Sequence, residues 1–166
     1  MEKADIEHYM GLALEEARWA GLVGEVPIGA VIVHDGVVVG RGHNLREHSQ
    51  DSTLHAEVLA IQEACATLKS WRLEDCDLFV TLEPCPMCAG AMINSRVRCC
   101  YYGAADPKAG VAGTLMNLLT DSRFNHQVQV VPGVREGEAA ALLQGFFRAI
   151  RAKRKAAKKA RRGQAK

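Results

Sequence analysis

A chain of 166 residues is long enough for one domain with its own core, and 48% hydrophobic residues exclude a disordered protein. No apolar run approaches the roughly 18 residues a membrane span needs, and the start MEKADIEHYM lacks the apolar stretch of a secretory leader, so a cytoplasmic location with no membrane partner is expected. The net charge of +2 is unevenly spread: residues 148–166 hold ten Lys/Arg and no acid, which leaves 11 basic and 19 acidic residues, a charge of −8, on the rest.

The apolar stripe Tyr9, Met10, Ala13, Leu14, Ala17 has helical spacing, with Asp5 as its expected N-cap and an end near Gly21 and Gly24. PIGAVIVHDGVVVGRGHN reads as two strands joined at His34-Asp35-Gly36, a hairpin signal. A polar loop over 44–52 follows, then a helix capped by Ser52 or Thr53 and running to about Lys69. DLFVTL is a short buried strand. Pro84 and Pro86 open a helix reaching about Asn94, since proline is tolerated in a first turn. VRCCYYG is another strand, DPKAGVAG a loop, TLMNLL a short helix and QVQVV a last strand. A final helix starts near Glu136 and can run on into the basic tail. Strands separated by helices imply a mixed, partly parallel sheet with helices on both faces. With aromatics at only 5%, the core must rest on Val, Leu, Ile and Ala.

Two cysteines three apart at a helix start, Cys85 and Cys88, have the spacing of a zinc pair, and the helix dipole favours their thiolates. A redox dithiol would have the same spacing. His55 and Glu57 weigh against that reading. In mid-helix, residues two apart point to different sides, but in a first turn both can reach a group beyond the helix end. The helix starts near 53–57 and 84–88 can then face one point. His55, Cys85 and Cys88 supply three ligands and leave a fourth position for water, the pattern of a catalytic zinc. Glu57 stands beside that water as a proton carrier. A closed structural site would need a fourth donor from Cys99, Cys100 or His43, none of which has paired spacing. Cys65, Cys76, Cys99 and Cys100 read as buried small hydrophobes. His8, His34, His48 and His126 read as structural or surface residues.

His-Ala-Glu followed by Pro-Cys-x-x-Cys resembles the signature of zinc-dependent nucleoside and nucleobase deaminases, in which the glutamate is the acid/base. Within that superfamily the chain resembles the bacterial tRNA-specific adenosine deaminases from VPIGAVIV to LLQGFF. The most specific stretches are VTLEPCPMCAGAMINSR and YGAADPKAGVAGTLMNLL followed by FNH. Ser52 and Leu54 depart from the family's preference before the HAE, and Leu54 is expected to narrow the pocket mouth.

The resemblance implies a three-layer α/β/α cytidine deaminase-like fold with a central five-stranded mixed sheet. It divides the chain into a deaminase domain over 1–150 and a basic tail over 151–166. It further implies hydrolysis of the wobble adenosine of a tRNA anticodon to inosine. Zinc-bound hydroxide attacks C6, and Glu57 takes the water's proton, delivers it to N1 and later protonates the departing ammonia. Asn44, Ala56, Asp106 and Phe147 match substrate-contacting positions, although Asn44 is equally readable as a turn residue, Asp106 as a helix cap and Phe147 as a core aromatic. The implied partners are the tRNA anticodon loop and a second copy in a homodimer, and RNA gives the basic tail a use. A small-molecule deaminase of guanine or cytosine type is the alternative, and would not need that tail. A non-enzymatic RNA-binding zinc module would leave Glu57 without a purpose.

Overall fold

The computed structural model describes residues 1–164 as α1 (Lys3–Leu22), β1 (Gly29–His34), β2 (Val37–His43), α2 (Arg46–Ser49), α3 (Ala56–Leu68), β3 (Cys76–Leu82), α4 (Pro86–Ser95), β4 (Cys99–Ala104), β5 (Gln129–Val131) and α5 (Glu136–Gln164). Lys166, counted in the basic tail, lies outside the described residues. The sheet order is β2-β1-β3-β4-β5; β1 is antiparallel to β2 and β3, whereas β3, β4 and β5 run parallel. The expected hairpin turn forms with Asp35 at φ 47° and Gly36 at φ 78°, as a two-residue turn of this twist requires.

Period-two burial explains the layers. Ala30 and Ile32 of β1, Leu78 and Val80 of β3, and Cys100 and Tyr102 of β4 face α3 and α4. Val31, Val33, Phe79, Cys99 and Tyr101 face α1 and the start of α5. Strands β1, β3 and β4 are buried on both sides, which is why they read as continuous apolar runs. Aliphatic side chains and alanines dominate both layers. The few aromatics concentrate on the α1 side, where Phe79 and Tyr101 stack at 4.5 Å with Tyr9 against Phe79.

Several element boundaries differ from the sequence reading. Helix α1 starts at Lys3 with Glu2 at the N-cap, so Asp5 sits inside the first turn, where its charge still complements the dipole. The loop after β2 winds into the four-residue α2. TLMNLL is not helical: Ala112 bridges Asn117, the Gly113 N–H donates to the Met116 carbonyl, and the Thr114 N–H donates to the Glu83 carboxylate. Six residues offer too few turns to outweigh such tertiary pulls. Cys65 is partly exposed rather than buried, whereas Cys76, Cys99 and Cys100 are buried. Helix α5 crosses residues 150 and 151 without interruption.

The seat of α3 on β2 depends on two glycines. A Cβ at Gly40 would strike the Ala60 carbonyl, and one at Gly42 the Ala56 carbonyl, with backbone rather than a flexible side chain in the way. Together with Ala56, Ala60 and Ala64, all fully buried, they let the helix approach the sheet closely. Gly42→Ala is therefore expected to cost about 1–3 kcal/mol through overpacking. Gly90→Ala, in a helix with open space around it, should be neutral or stabilising by up to about 1 kcal/mol. Urea midpoints of the two variants check the contrast.

Candidate metal centre and substrate cavity

Strands β2, β3 and β4 all deliver their C-terminal ends to one edge of the sheet, where open α/β sheets hold their ligands. At that edge α3 and α4 begin. Their N-cap residues are His55 (φ −81°, ψ 155°) and Cys85 (φ −79°, ψ 172°), and neither side chain caps its own helix. Ser52 and Thr53 do not cap α3: the Thr53 N–H and hydroxyl both donate to Asp51 Oδ1, at 2.9 and 2.7 Å. The turn consumes the expected cap, and His55 takes the position with its ring free to turn elsewhere. Pro86 begins α4, so Cys88 falls at its third residue and Glu57 at the second residue of α3.

His55 Nδ1 lies 3.6 Å from Cys85 Sγ and 3.6 Å from Cys88 Sγ, and the three ligand atoms lie within 4.8 Å of one another. Metal–nitrogen and metal–sulfur bonds of about 2.1 and 2.3 Å at tetrahedral angles separate the two atoms by about 3.6 Å. The separation and the N, S, S donor set both fit a tetrahedral metal. Glu57 is outside this cluster, buried beside it. Hydrogen bonding from Cys88 pulls the Cys85 thiol down to about 4, and that thiolate in turn pushes Cys88 up. Hydrogen bonding to Cys85 raises the His55 imidazole. Burial pushes Glu57 up to about 7. The remaining buried thiols are held protonated: burial lifts Cys76 and Cys99 to about 11 and Cys100 well above its ordinary value.

A cavity of ≈ 320 Å³ opens beside the cluster. His55, Glu57 and Cys85 line it, and so do all four residues matched to substrate positions, Asn44, Ala56, Asp106 and Phe147. Asn44 also behaves as a turn residue, its Oδ1 accepting from the Arg46 N–H at 3.3 Å. Asp106 Oδ1 likewise accepts from the Lys108 and Ala109 N–H groups. Phe147 is 43% exposed, which excludes the core reading. Leu54 does not line the cavity. His43 binds Glu16 at 2.9 Å and His126 binds the Val97 carbonyl at 2.7 Å, as structural histidines do.

Sequence reasoning missed two buried acids that hold the loops around the cavity. Glu83 is 2% exposed; its carboxylate accepts from the N–H groups of Asp106, Ala112 and Thr114, each at 3.0 Å, and from the Thr114 hydroxyl. Burial raises its pKa, but those hydrogen bonds outweigh it and hold the group below its ordinary value. Glu25, 1% exposed, accepts from the His48 N–H. A charged residue closing an apolar strand, as in DLFVTLE, was the available signal for Glu83. Cations were missed as well: Arg46 and Lys108 line the cavity. Glu83→Gln replaces one acceptor oxygen by a donor facing N–H groups. It should cost about 1–3 kcal/mol and speed amide exchange selectively across 105–114, which hydrogen-exchange mass spectrometry reads.

The MafB19-like deaminase family model matches residues 4–151. A tRNA-specific adenosine deaminase from Bacillus subtilis (strain 168) is 58% identical over 153 residues, covering 92% of this chain and 95% of that one. Among solved structures, one from studies of A-to-I editing by tRNA:A34 deaminases at the wobble position of transfer RNA superposes with a TM-score of 0.79 at 46% identity. It covers 82% of this chain and 99% of its own. A guanine deaminase from Nitrosomonas europaea superposes with a TM-score of 0.75 at 27% identity over 84% of this chain and 83% of that one.

Proposed function

The chain belongs to the MafB19-like deaminases and to the family of tRNA-specific adenosine deaminases, and from that premise we propose that it hydrolyses the wobble adenosine of a tRNA anticodon to inosine on a zinc ion held by His55, Cys85 and Cys88. The observation that carries this reading is the buried Glu57 carboxyl beside a three-donor cluster, at one end of a cavity large enough for a purine. Bound there, zinc supplies a Lewis acid that makes water nucleophilic near neutral pH.

The chain's own groups do the rest. Glu57 would take one proton of the attacking water and deliver it to N1 of the adenine, then take the remaining hydroxyl proton from C6 and pass it to the amine, which departs as ammonia as the C6 carbonyl forms. The apolar burial of Glu57 suits a group that must gain and lose a proton repeatedly. Ala56 and Asn44 border the base, the first by its small size and the second by its amide. Asp106 and Phe147, which also line the cavity, border the neighbouring nucleotides. A base held in a single-stranded loop leaves its stack more cheaply than one in a duplex. We assign the active form to a homodimer in the cytoplasm on the strength of the family likeness, with residues 1–150 as the deaminase domain and 151–166 as an appended basic tail.

Inosine formation on an anticodon stem-loop, assayed beside free guanine and free cytosine, tests the reading. Turnover of the hairpin adenosine with none of the free bases supports it. Turnover of a free base alone replaces it with the small-molecule alternative. Purified protein should contain about one zinc per chain, and the double variant Cys85→Ala/Cys88→Ala should lose it. Unchanged zinc content in that variant removes the site. Glu57→Ala should retain zinc and fold while losing at least roughly 10²–10⁴-fold in kcat, the usual contribution of a general acid–base group. Near-normal turnover refutes its role.

A further inference from the structure

Helix α5 reaches well past the last residue matched by the family model, Arg151, and residues 153–162 add seven cations with no acid. At about 100° per residue, Arg148, Arg151, Lys155, Lys158, Lys159 and Arg162 fall within an arc of roughly 100°, a single stripe along the helix. All six are exposed. The stripe begins at the substrate cavity. Arg148 and Arg151 line a second groove with Lys108, Leu143, Gln144 and Phe147, and Lys108 and Phe147 are shared with the cavity beside the metal cluster. From Arg148 to Arg162 the stripe runs roughly 21 Å at about 1.5 Å per residue.

We propose that this stripe is a docking track for the phosphate backbone of the duplex stem adjoining the target loop, so that the chain prefers an RNA with an extended stem over an isolated loop. The inference rests on the RNA substrate proposed above and deepens it. Its length decides against the loop as sole occupant: the far rungs lie well beyond a cavity that accommodates one base. Charge complementarity supplies the attraction, because one rung per helical turn faces a polymer that carries a negative charge every few ångströms. The rest of this helix surface decides against a membrane. Residues 151–162 contain only Ala, Lys and Arg, so the helix surface off the stripe offers nothing apolar larger than Ala152, Ala156, Ala157 and Ala160, and a helix lying in a lipid interface needs a bulky apolar face.

The geometry, unlike simple charge, separates on-stripe from off-stripe cations. Lys153, Arg154 and Arg161 fall outside the arc. Two full-length variants of equal charge therefore test the proposal: Lys155→Gln/Lys158→Gln/Arg162→Gln, and Lys153→Gln/Arg154→Gln/Arg161→Gln. Each is measured for KM and kcat at several salt concentrations on a long-stem anticodon arm and on a short-stem hairpin of the same loop. The on-stripe variant should raise KM for the long-stem RNA on the order of tenfold and reduce the log–log salt slope of binding by about 2–3, the share of three phosphate contacts. Its kcat, and its KM on the short hairpin, should change less than about twofold, since backbone contacts position RNA and do not read the base. The off-stripe variant should behave as the unmodified chain on both RNAs.

Equal effects of the two variants, or none from either, overturn the track. Loss of binding to phosphatidylserine vesicles in the on-stripe variant, with KM for both RNAs unchanged, overturns it in favour of a membrane. Anisotropy of a fluorescein-labelled long-stem arm reads the same contrast without turnover. If the unmodified chain forms no inosine, the proposed activity fails, while the binding contrast still decides the stripe.

Discussion

Two helices begin at the same place without capping themselves, and the chemistry of the site follows from that. An α-helix leaves its first N–H groups unpaired and carries a partial positive charge at that end. Ordinarily a serine, threonine or aspartate side chain would satisfy part of this demand. Here the N-cap residues are His55 and Cys85, whose side chains turn toward each other and Cys88. Two positive helix ends directed at one point favour anionic groups there: the thiolates and the Glu57 carboxylate. The convergence requires α3 and α4 to lie side by side, close to the sheet. The small residues at the α3–β2 contact, Gly40, Gly42, Ala56, Ala60 and Ala64, allow that approach.

The cavity's remaining walls come from segments with little regular structure, and backbone without a ladder needs partners from side chains. Two buried carboxylates supply them. Glu83, three positions before Cys88's helix begins at Pro86, gathers the N–H groups of Asp106, Ala112 and Thr114. Glu25 holds the N–H of His48 at the end of the α2 turn. Asp106, Lys108 and Ala109 on one loop, and Asn44 and Arg46 on the other, are thereby presented to the cavity. Both acids act on the site through the loop backbones, and Glu83 also lines the cavity itself.

Much of this was legible in the residues. The strand runs, the Asp-Gly turn and the sheet with helices on both faces all follow from periodicity and turn chemistry, and the donor pattern at His55, Cys85 and Cys88 was visible from spacing. What escaped was set by competition between neighbours. Thr53 is a good cap in isolation, but Asp51 captures it first. TLMNLL has helical composition, but Glu83 claims Thr114, and Val111 and Leu119 are needed in the core. Glu83 itself, two residues before Cys85, offers only the signal of a charge closing an apolar strand until the loop that wraps it is in view. Arg46 and Lys108 were passed over because single cations carry no pattern in sequence.

Charge placement adds a last constraint. A body of −8 repels polyanions at a distance, so an RNA on the proposed reading must be attracted locally. Arg46 and Lys108 at the cavity, then Arg148 and Arg151 in the adjoining groove, mark a side on which cations lead up to the His55/Cys85/Cys88 cluster. The acidic remainder then works as a repulsive background that disfavours other orientations. On that reading, orientation and base selection fall to different parts: long-range cations would bring the backbone to one face, and the cavity walled by Ala56, Asn44 and buried Glu57 would accept or refuse the base that leaves its stack. Because the first depends on salt and the second does not, the two contributions are separable in solution, and a change confined to one should leave the other intact.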